Sequence, residues 1–223
     1  MFALIRSLSL RRLLPTLLVL LGIALLGYSA AQYGRMYFAQ KRLAREWREQ
    51  NQRAQTRTVP ATNVEAGAAR LIRLVVPKIA LDSIVMEGTS RRALLLGPGH
   101  MKGSATPGES GNAVITAHRD TFFRHIHELQ KGDEIVVQRD GRVYRFEVTG
   151  KKVVEPDDMS VIRGSGESRL TLITCYPTYY IGPAPQRLVV FSKLVEQAPA
   201  HQKSAGTTAG APAAVANAQG AVH

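Results

Sequence analysis

Cys175 is the only thiol in a chain of 223 residues, so any cysteine chemistry has a single address. It closes the run "TLITC" at 171–175, and Arg187 follows twelve residues later across a loop rich in proline and glycine. Thiol catalysis needs a nucleophile, a proton partner and a donor for the developing oxyanion. The candidate partners are His100, His118, His125 and His127, because His201 and His223 fall in a small-residue tail. His118 ends the strand-like "NAVITAH", where a sheet rim can hold an imidazole rigidly. Arg187 opens another strand-like run, "RLVVF". If that strand neighbours the one ending in Cys175, thiol and guanidinium share one end of a barrel. A guanidinium is permanently charged and offers several donors, which suits an oxyanion or a substrate carbonyl. Taken singly, each residue has a plainer use: an isolated cysteine is ordinarily inert packing, a rim histidine packs, and a surface arginine pairs with a carboxylate. It is their combination that points to chemistry.

Other histidine patterns point elsewhere. His125 and His127 form an HxH pair, but residues two apart on a helix do not share a face and no third ligand stands near in sequence. His100, in "GPGHM", belongs to a turn and reads as a loop hydrogen bond. "HRD" at 118–120 matches a kinase catalytic loop by chance, since no glycine-rich phosphate loop or DFG accompanies it. A single cysteine allows neither an intrachain disulfide nor a cysteine-based zinc site. In an exported protein an unpaired thiol is an oxidation liability, so one that is kept has a use.

The elements that must position these residues are short β-type runs. They are "LIRLVVPKIAL", "SIVMEG", "NAVITAHR", "DEIVVQRD", "RVYRFEVTGKKVVE", "RLTLITCYP" and "QRLVVFSKL", all between 71 and 195. Asp140-Gly141 marks a hairpin, expected with one extra turn residue. The one helical stretch in this region is "TFFRHIHEL", with Asp120 as its cap. Many short strands with Gly/Pro punctuation predict an all-β sandwich or small barrel. Upstream, residues 13–34 carry no charge and are long enough to cross a bilayer as a helix. They serve either as a signal-anchor or as a signal peptide cut after the small residues at 29–31, and the anchor is favoured because helix-favouring residues continue beyond the apolar run. This gives a division into 1–12 on the cytoplasmic side, 13–34 spanning, 35–70 as a basic helical stem and linker, 71–195 as the folded domain and 196–223 as a disordered Ala/Gly-rich tail.

The net charge of +12 invites a nucleic-acid partner, but its distribution argues against one. Residues 1–70 hold 11 Lys/Arg against 3 Asp/Glu, while 71–223 hold 18 against 14, an ordinary mixed surface. Aromatics are sparse and not interleaved with basic residues as a base-stacking platform requires. The basic stem reads as a solvated helix. Its charge alone would keep the folded domain in the cytoplasm by the positive-inside rule.

At these residues the chain resembles the sortases, the membrane-anchored cysteine transpeptidases of bacterial cell surfaces. "TLITC" is similar to the sortase cysteine motif, "ITAHRD" at 115–120 to its histidine strand, and Arg187 stands where the sortase arginine is expected. Further similarity runs through "GPGHMKGSATPGESGN" (97–112), "LQKGDEIVV" (129–137) and "CYPTYYIGPAPQRLVV" (175–190), the last most like class D. The resemblance implies a closed eight-stranded β-barrel with short helices behind an N-terminal transmembrane helix. It implies Cys175 as nucleophile, His118 as general acid/base and Arg187 for the oxyanion and substrate positioning, with Thr174 as a further substrate contact. The implied substrate is an LPxTG-type sorting-signal peptide, attacked to give a thioacyl intermediate. An amine of a cell-wall peptide or pilin lysine resolves it, or water where no amine arrives. No cofactor is implied; some members bind calcium, and no acidic cluster here supports a metal. The resemblance also sets the N-terminus inside and the catalytic domain outside the cytoplasmic membrane, against the charge count. Two other classes stay open. An L,D-transpeptidase-type envelope enzyme usually carries a Ser/His-Gly-Cys stretch absent here, and a non-catalytic membrane-tethered β-module would use Cys175 only as core.

Overall fold

The computed structural model describes residues 2–56, 71–180 and 182–200. One long helix, α1 (Phe2–Thr56), precedes strands β1 (Ile72–Val76), β2 (Leu81–Glu87), β3 (Gly99–His100), β4 (Gly111–Thr116), β5 (Glu134–Arg139), β6 (Arg142–Val154), β7 (Ser168–Tyr176) and β8 (Gln186–Pro199). A short helix, α2 (Arg91–Leu96), links β2 to the parallel β3. The strands close in the order β1-β2-β3-β4-β7-β8-β6-β5, with β5 returning to β1. This is the closed eight-stranded barrel the resemblance implies.

Period-2 alternation sends one side chain of each pair inward. Leu74 of β1, Ala113 and Ile115 of β4, Leu170 and Leu172 of β7, and Leu188 and Val190 of β8 fill the interior, together with Phe146 and Ile135. A second, smaller cluster lies on the outer face, where Val189, Ile173 and Phe191 meet Val154, Val161 and Ile162. The connection from β6 to β7 folds down over the sheet here. Asn112, outward on β4, pins it: the buried amide donates to Val161 O (3.2 Å) and Arg163 O (3.3 Å) and accepts from Thr171 Oγ1 (2.7 Å).

Three local expectations are corrected. The Asp140-Gly141 hairpin needs no extra residue: Arg139 pairs with Arg142, and both turn residues take positive φ (51° and 71°), as a type I′ turn requires. The stretch after Asp120 is not an α-helix. It is a run of turns ending in a 3-10 helix at Ile126–Glu128, held by bonds from Ile126 N to Phe123 O and from Leu129 N to Ile126 O. Its buried residues, Phe123, Ile126 and Leu129, recur every three positions, the period of that tighter helix. Finally, β8 stays paired with β6 through Pro199, past the expected boundary at 195. The linker from 57 and the tail from 201 lie outside the described residues.

α1 is unbroken from the apolar stretch into the basic stem. Leu14, Leu17, Leu18, Leu20 and Leu25 are all more than half exposed. Among the described residues, this is the one helix long and apolar enough to cross a membrane. The stem is not freely solvated. Positions 40, 47, 50 and 51 form a face that docks on the barrel. Gln40 accepts from Ile84 N (2.8 Å) and Ser83 Oγ (3.0 Å), and donates to Ile84 O (3.1 Å) and Leu96 O (2.7 Å). β3 meets β2 only at Met86 and Glu87, so the outward peptide groups of Ile84 lack a strand partner and the Gln40 amide supplies one. Trp47, 7% exposed, stacks under the Arg73 guanidinium (5.2 Å), Gln50 accepts from Leu71 N, and Asn51 accepts from Gly141 N.

Candidate active site

Cys175 is the penultimate residue of β7, on the strand face opposite Leu170 and Leu172, and is partly exposed. On one side, the antiparallel register pairs it directly with Arg187 of β8. On the other, parallel β4 pairs Thr116 with Ile173, and Ala117 N donates to Ile173 O (3.2 Å). Two residues further along the same register, His118 falls beside Cys175. Cys175 and Arg187 are thus paired across neighbouring strands, which lie about 4.8 Å apart, and His118, two residues past the end of β4, extends that row on the other side of the thiol. All three project from the outer face, at the end of the barrel where the β6–β7 connection begins.

The structure thus brings together the three residues that the sequence separates by as many as 69 positions (118 to 187). The Arg187 guanidinium donates through Nη1 to Ala184 O (3.3 Å) and Gln186 O (2.9 Å). Among the described residues, Nε and Nη2 have no hydrogen-bond partner and are left to donate outward.

Thr174 sits differently from the expectation. Alternation turns it to the barrel interior, 2% exposed, where its hydroxyl donates to Ala117 O (2.8 Å). It therefore touches the segment that carries His118, not the outer face on which Cys175 lies. His100 is buried, with Nδ1 at 3.0 Å from Glu87 Oε2 and Nε2 at 2.9 Å from Ala105 O, and serves the β3–β4 loop. His125 lies 2.7 Å from Glu128 Oε1 and His127 3.2 Å from Arg124 O; the pair is exposed and turned to its own segment. No group of three or more metal-ligating side chains gathers among the described residues.

Two residues that sequence reasoning passed over also shape the site. Asn112 pins the β6–β7 connection, as described above. Arg119, next to His118, donates to Pro177 O (3.2 Å) and Gly182 O (2.6 Å) in the loop that joins Cys175 to Arg187. The motif "ITAHRD" contains Arg119, but nothing in its neighbourhood names a partner some 60 positions away.

Residues 74–195 match the family model of the sortase domain. The chain belongs to the sortase family. It is 40% identical over 132 residues to a sortase D of Bacillus subtilis, covering 59% of this chain and 66% of that protein. It is 31% identical over 107 residues to a sortase A of Bacillus anthracis, covering 46% and 50%. The chain thus spans between half and about two thirds of the length of these relatives. Among solved structures, a sortase D5 transpeptidase of Clostridium perfringens superimposes with a TM-score of 0.59 at 25% identity, covering 71% of this chain and 99% of that one. A Listeria monocytogenes sortase A gives 0.54 at 27% identity, covering 59% and 91%. The sortase match spans β1 to β8, so it encloses the whole row of His118, Cys175 and Arg187.

Proposed function

We propose that this sortase-family chain is a membrane-tethered cysteine transpeptidase that cleaves an LPxTG-type sorting signal and passes the acyl group to an amine. The observation that carries the reading is the row itself: a lone thiol paired with Arg187 on the adjacent strand, with His118 just past the end of β4 on its other side, on an accessible outer face. In the first half-reaction the Cys175 thiolate attacks the scissile carbonyl carbon. The C–S bond forms and the carbonyl electrons move to oxygen. Arg187 Nε and Nη2 donate to that oxyanion and orient the peptide. As the tetrahedral adduct collapses, the C–N bond breaks and His118 gives its proton to the leaving amine. In the second half, His118 takes a proton from the incoming amine as that amine attacks the thioacyl carbon, and the thiolate leaves. Water in place of the amine gives hydrolysis. Thr174, by holding Ala117 O, positions the backbone that presents His118.

The acceptor is an amine of a cell-wall peptide or a pilin lysine, and the donors are surface proteins bearing the signal. α1 is the anchor, with the N-terminus inside and the barrel outside the cytoplasmic membrane. The exposed apolar span supports the anchor, and the family supports the orientation against the stem's charge. Full protection of the barrel from protease in intact spheroplasts would refute that orientation.

The deciding experiment is intact-mass spectrometry of the protein after incubation with LPxTG-type peptides, beside Cys175→Ala. A mass increase matching the N-terminal peptide fragment, absent from the variant, is expected. His118→Ala and Arg187→Ala are each expected to lower turnover by about 10²-fold or more. Retained turnover in Cys175→Ala would end the mechanism. No adduct together with a thiol inert to iodoacetamide would favour a non-catalytic module.

A further inference from the structure

The 177–185 loop runs from the end of the strand carrying Cys175 to the start of β8, which carries Arg187, and among its described residues little backbone bonding holds it. Pro177, Pro183 and Pro185 have no N–H to donate. Within 177–185, the described residues show one backbone bond, Tyr180 N to Pro177 O (3.3 Å). Two guanidinium groups do the work instead. Arg187 holds Ala184 O and Gln186 O at the far end. Arg119 reaches from the other side of the thiol and takes Pro177 O and Gly182 O with the two arms of one planar fork, while Cζ stacks 5.8 Å from the Tyr180 ring. Gly182 sits at φ 109°, a conformation that turns its carbonyl at little steric cost only because it is glycine. The loop so braced carries Tyr179, 83% exposed, and Tyr180, 46% exposed, beside the row of His118, Cys175 and Arg187.

We propose that Arg119 is a positioning residue: by gripping the carbonyls of Pro177 and Gly182 it fixes these two points of the loop, so that the segment 177–180 forms a preformed wall beside Cys175 where the peptide is met. The substrate half of this inference rests on the transpeptidase reading above. Arg119 does not touch the reacting atoms. Its effect is preorganisation, so its loss appears in peptide binding rather than in the chemical step. A lysine, offering a point charge instead of a fork, holds one carbonyl at a time and restores part of the effect.

The test uses the full chain in detergent micelles with Arg119→Ala and Arg119→Lys. Chymotrypsin cleavage after Tyr179 and Tyr180, followed by mass spectrometry, reports the loop without any substrate. It is expected to accelerate about tenfold in Arg119→Ala and less in Arg119→Lys, with the thermal midpoint unchanged. On a fluorogenic LPxTG-type peptide, KM is expected to rise about tenfold in Arg119→Ala while kcat stays within about threefold. An unchanged cleavage rate would overturn the proposal whatever the kinetics show. A fall in kcat at constant KM would overturn it by assigning Arg119 to the chemistry, and a parallel loss of thermal stability would reduce it to a folding role. A wild-type enzyme inert toward peptide, with loop cleavage still accelerated in Arg119→Ala, would strike the transpeptidase reading and leave Arg119's grip on the loop standing.

Discussion

Gln40→Ala tests whether the stem is part of the folded domain. The wild-type amide makes four hydrogen bonds across 43 to 56 positions of sequence, three of them to backbone groups of Ile84 and Leu96. Ile84 is 2% exposed and its outward N–H and C=O have no neighbouring strand, so truncation leaves buried groups unpaired. At a net ~0.5–1.5 kcal/mol per bond the total lies at roughly 2–6 kcal/mol, and water reaching the vacated edge brings the expectation to about 2–4 kcal/mol. The chain contains one tryptophan, Trp47, two helical turns along the same face, so its emission reports the docking directly. Urea titration of the full chain in micelles is expected to show Trp47 shifting to the red at lower urea in Gln40→Ala than in wild type. Far-UV circular dichroism of the barrel should follow with a lowered midpoint. Gln40→Glu retains the acceptor for Ile84 N but cannot donate to Leu96 O, and should be at least as damaging at neutral pH. Identical midpoints and identical Trp47 emission in wild type and Gln40→Ala would refute the edge-capping account.

Asn112→Ala removes both donors to the β6–β7 connection and strands the Thr171 hydroxyl; a loss of about 2–4 kcal/mol is expected by denaturant titration, with faster hydrogen exchange over 155–167. Thr174→Val keeps the volume but deletes the bond to Ala117 O, and should cost about 1 kcal/mol of stability while lowering kcat more than it changes KM. Asp82 accepts from Arg73 Nε (2.7 Å), and that hydrogen bond holds its carboxyl below the usual carboxylate range although partial burial opposes it. With the folded value depressed, the contribution is complete above the unfolded value of about 3.9 and is lost as pH falls through the folded one. Because the same guanidinium covers Trp47, acid titration below about pH 4 should red-shift Trp47 emission in wild type, and Asp82→Asn should show the shifted emission already at neutral pH.

Much of the barrel is legible because strand patterning is a local property. The runs containing Leu74 and Leu172 alternate in part, those containing Ile115 and Val190 are short unbroken apolar stretches rich in β-branched residues, and all four are strands. β3 escaped because Gly99-His100 is too short to carry a period. α2 escaped for the same reason, although Ser90, whose hydroxyl accepts from Ala93 N, and Gly97 bracket it as a start and a stop. At the site, Cys175, His118 and Arg187 can be named because the chain holds a single thiol and the motifs around the three residues resemble those of a known family. Gln40, Asn112 and Arg119 cannot. An amide or a guanidinium gains meaning only from its partner, and those partners lie tens of residues away on elements whose adjacency is a property of the closed barrel. Thr174 adjoins Cys175 in sequence but not on the same face, because alternation sends neighbours along a strand to opposite sides.

With α1 as the proposed membrane anchor, the docked stem sets how this sortase searches. Gln40, the first grip on the barrel, stands six positions beyond Gly34, the end of the uncharged run, a rise of about 9 Å in a continuous helix. A flexible tether of some 20 residues would instead let a domain wander over roughly 25 Å. In the membrane-spanning reading proposed here, every copy of the nucleophile therefore travels in one thin layer at constant height above the bilayer, and encounter is a problem of lateral diffusion. A partner must deliver its scissile peptide into that layer. The spacer between a substrate's own anchor and its signal then becomes a ruler: lengths that bring the signal to the level of Cys175 are processed, and shorter or longer ones are not.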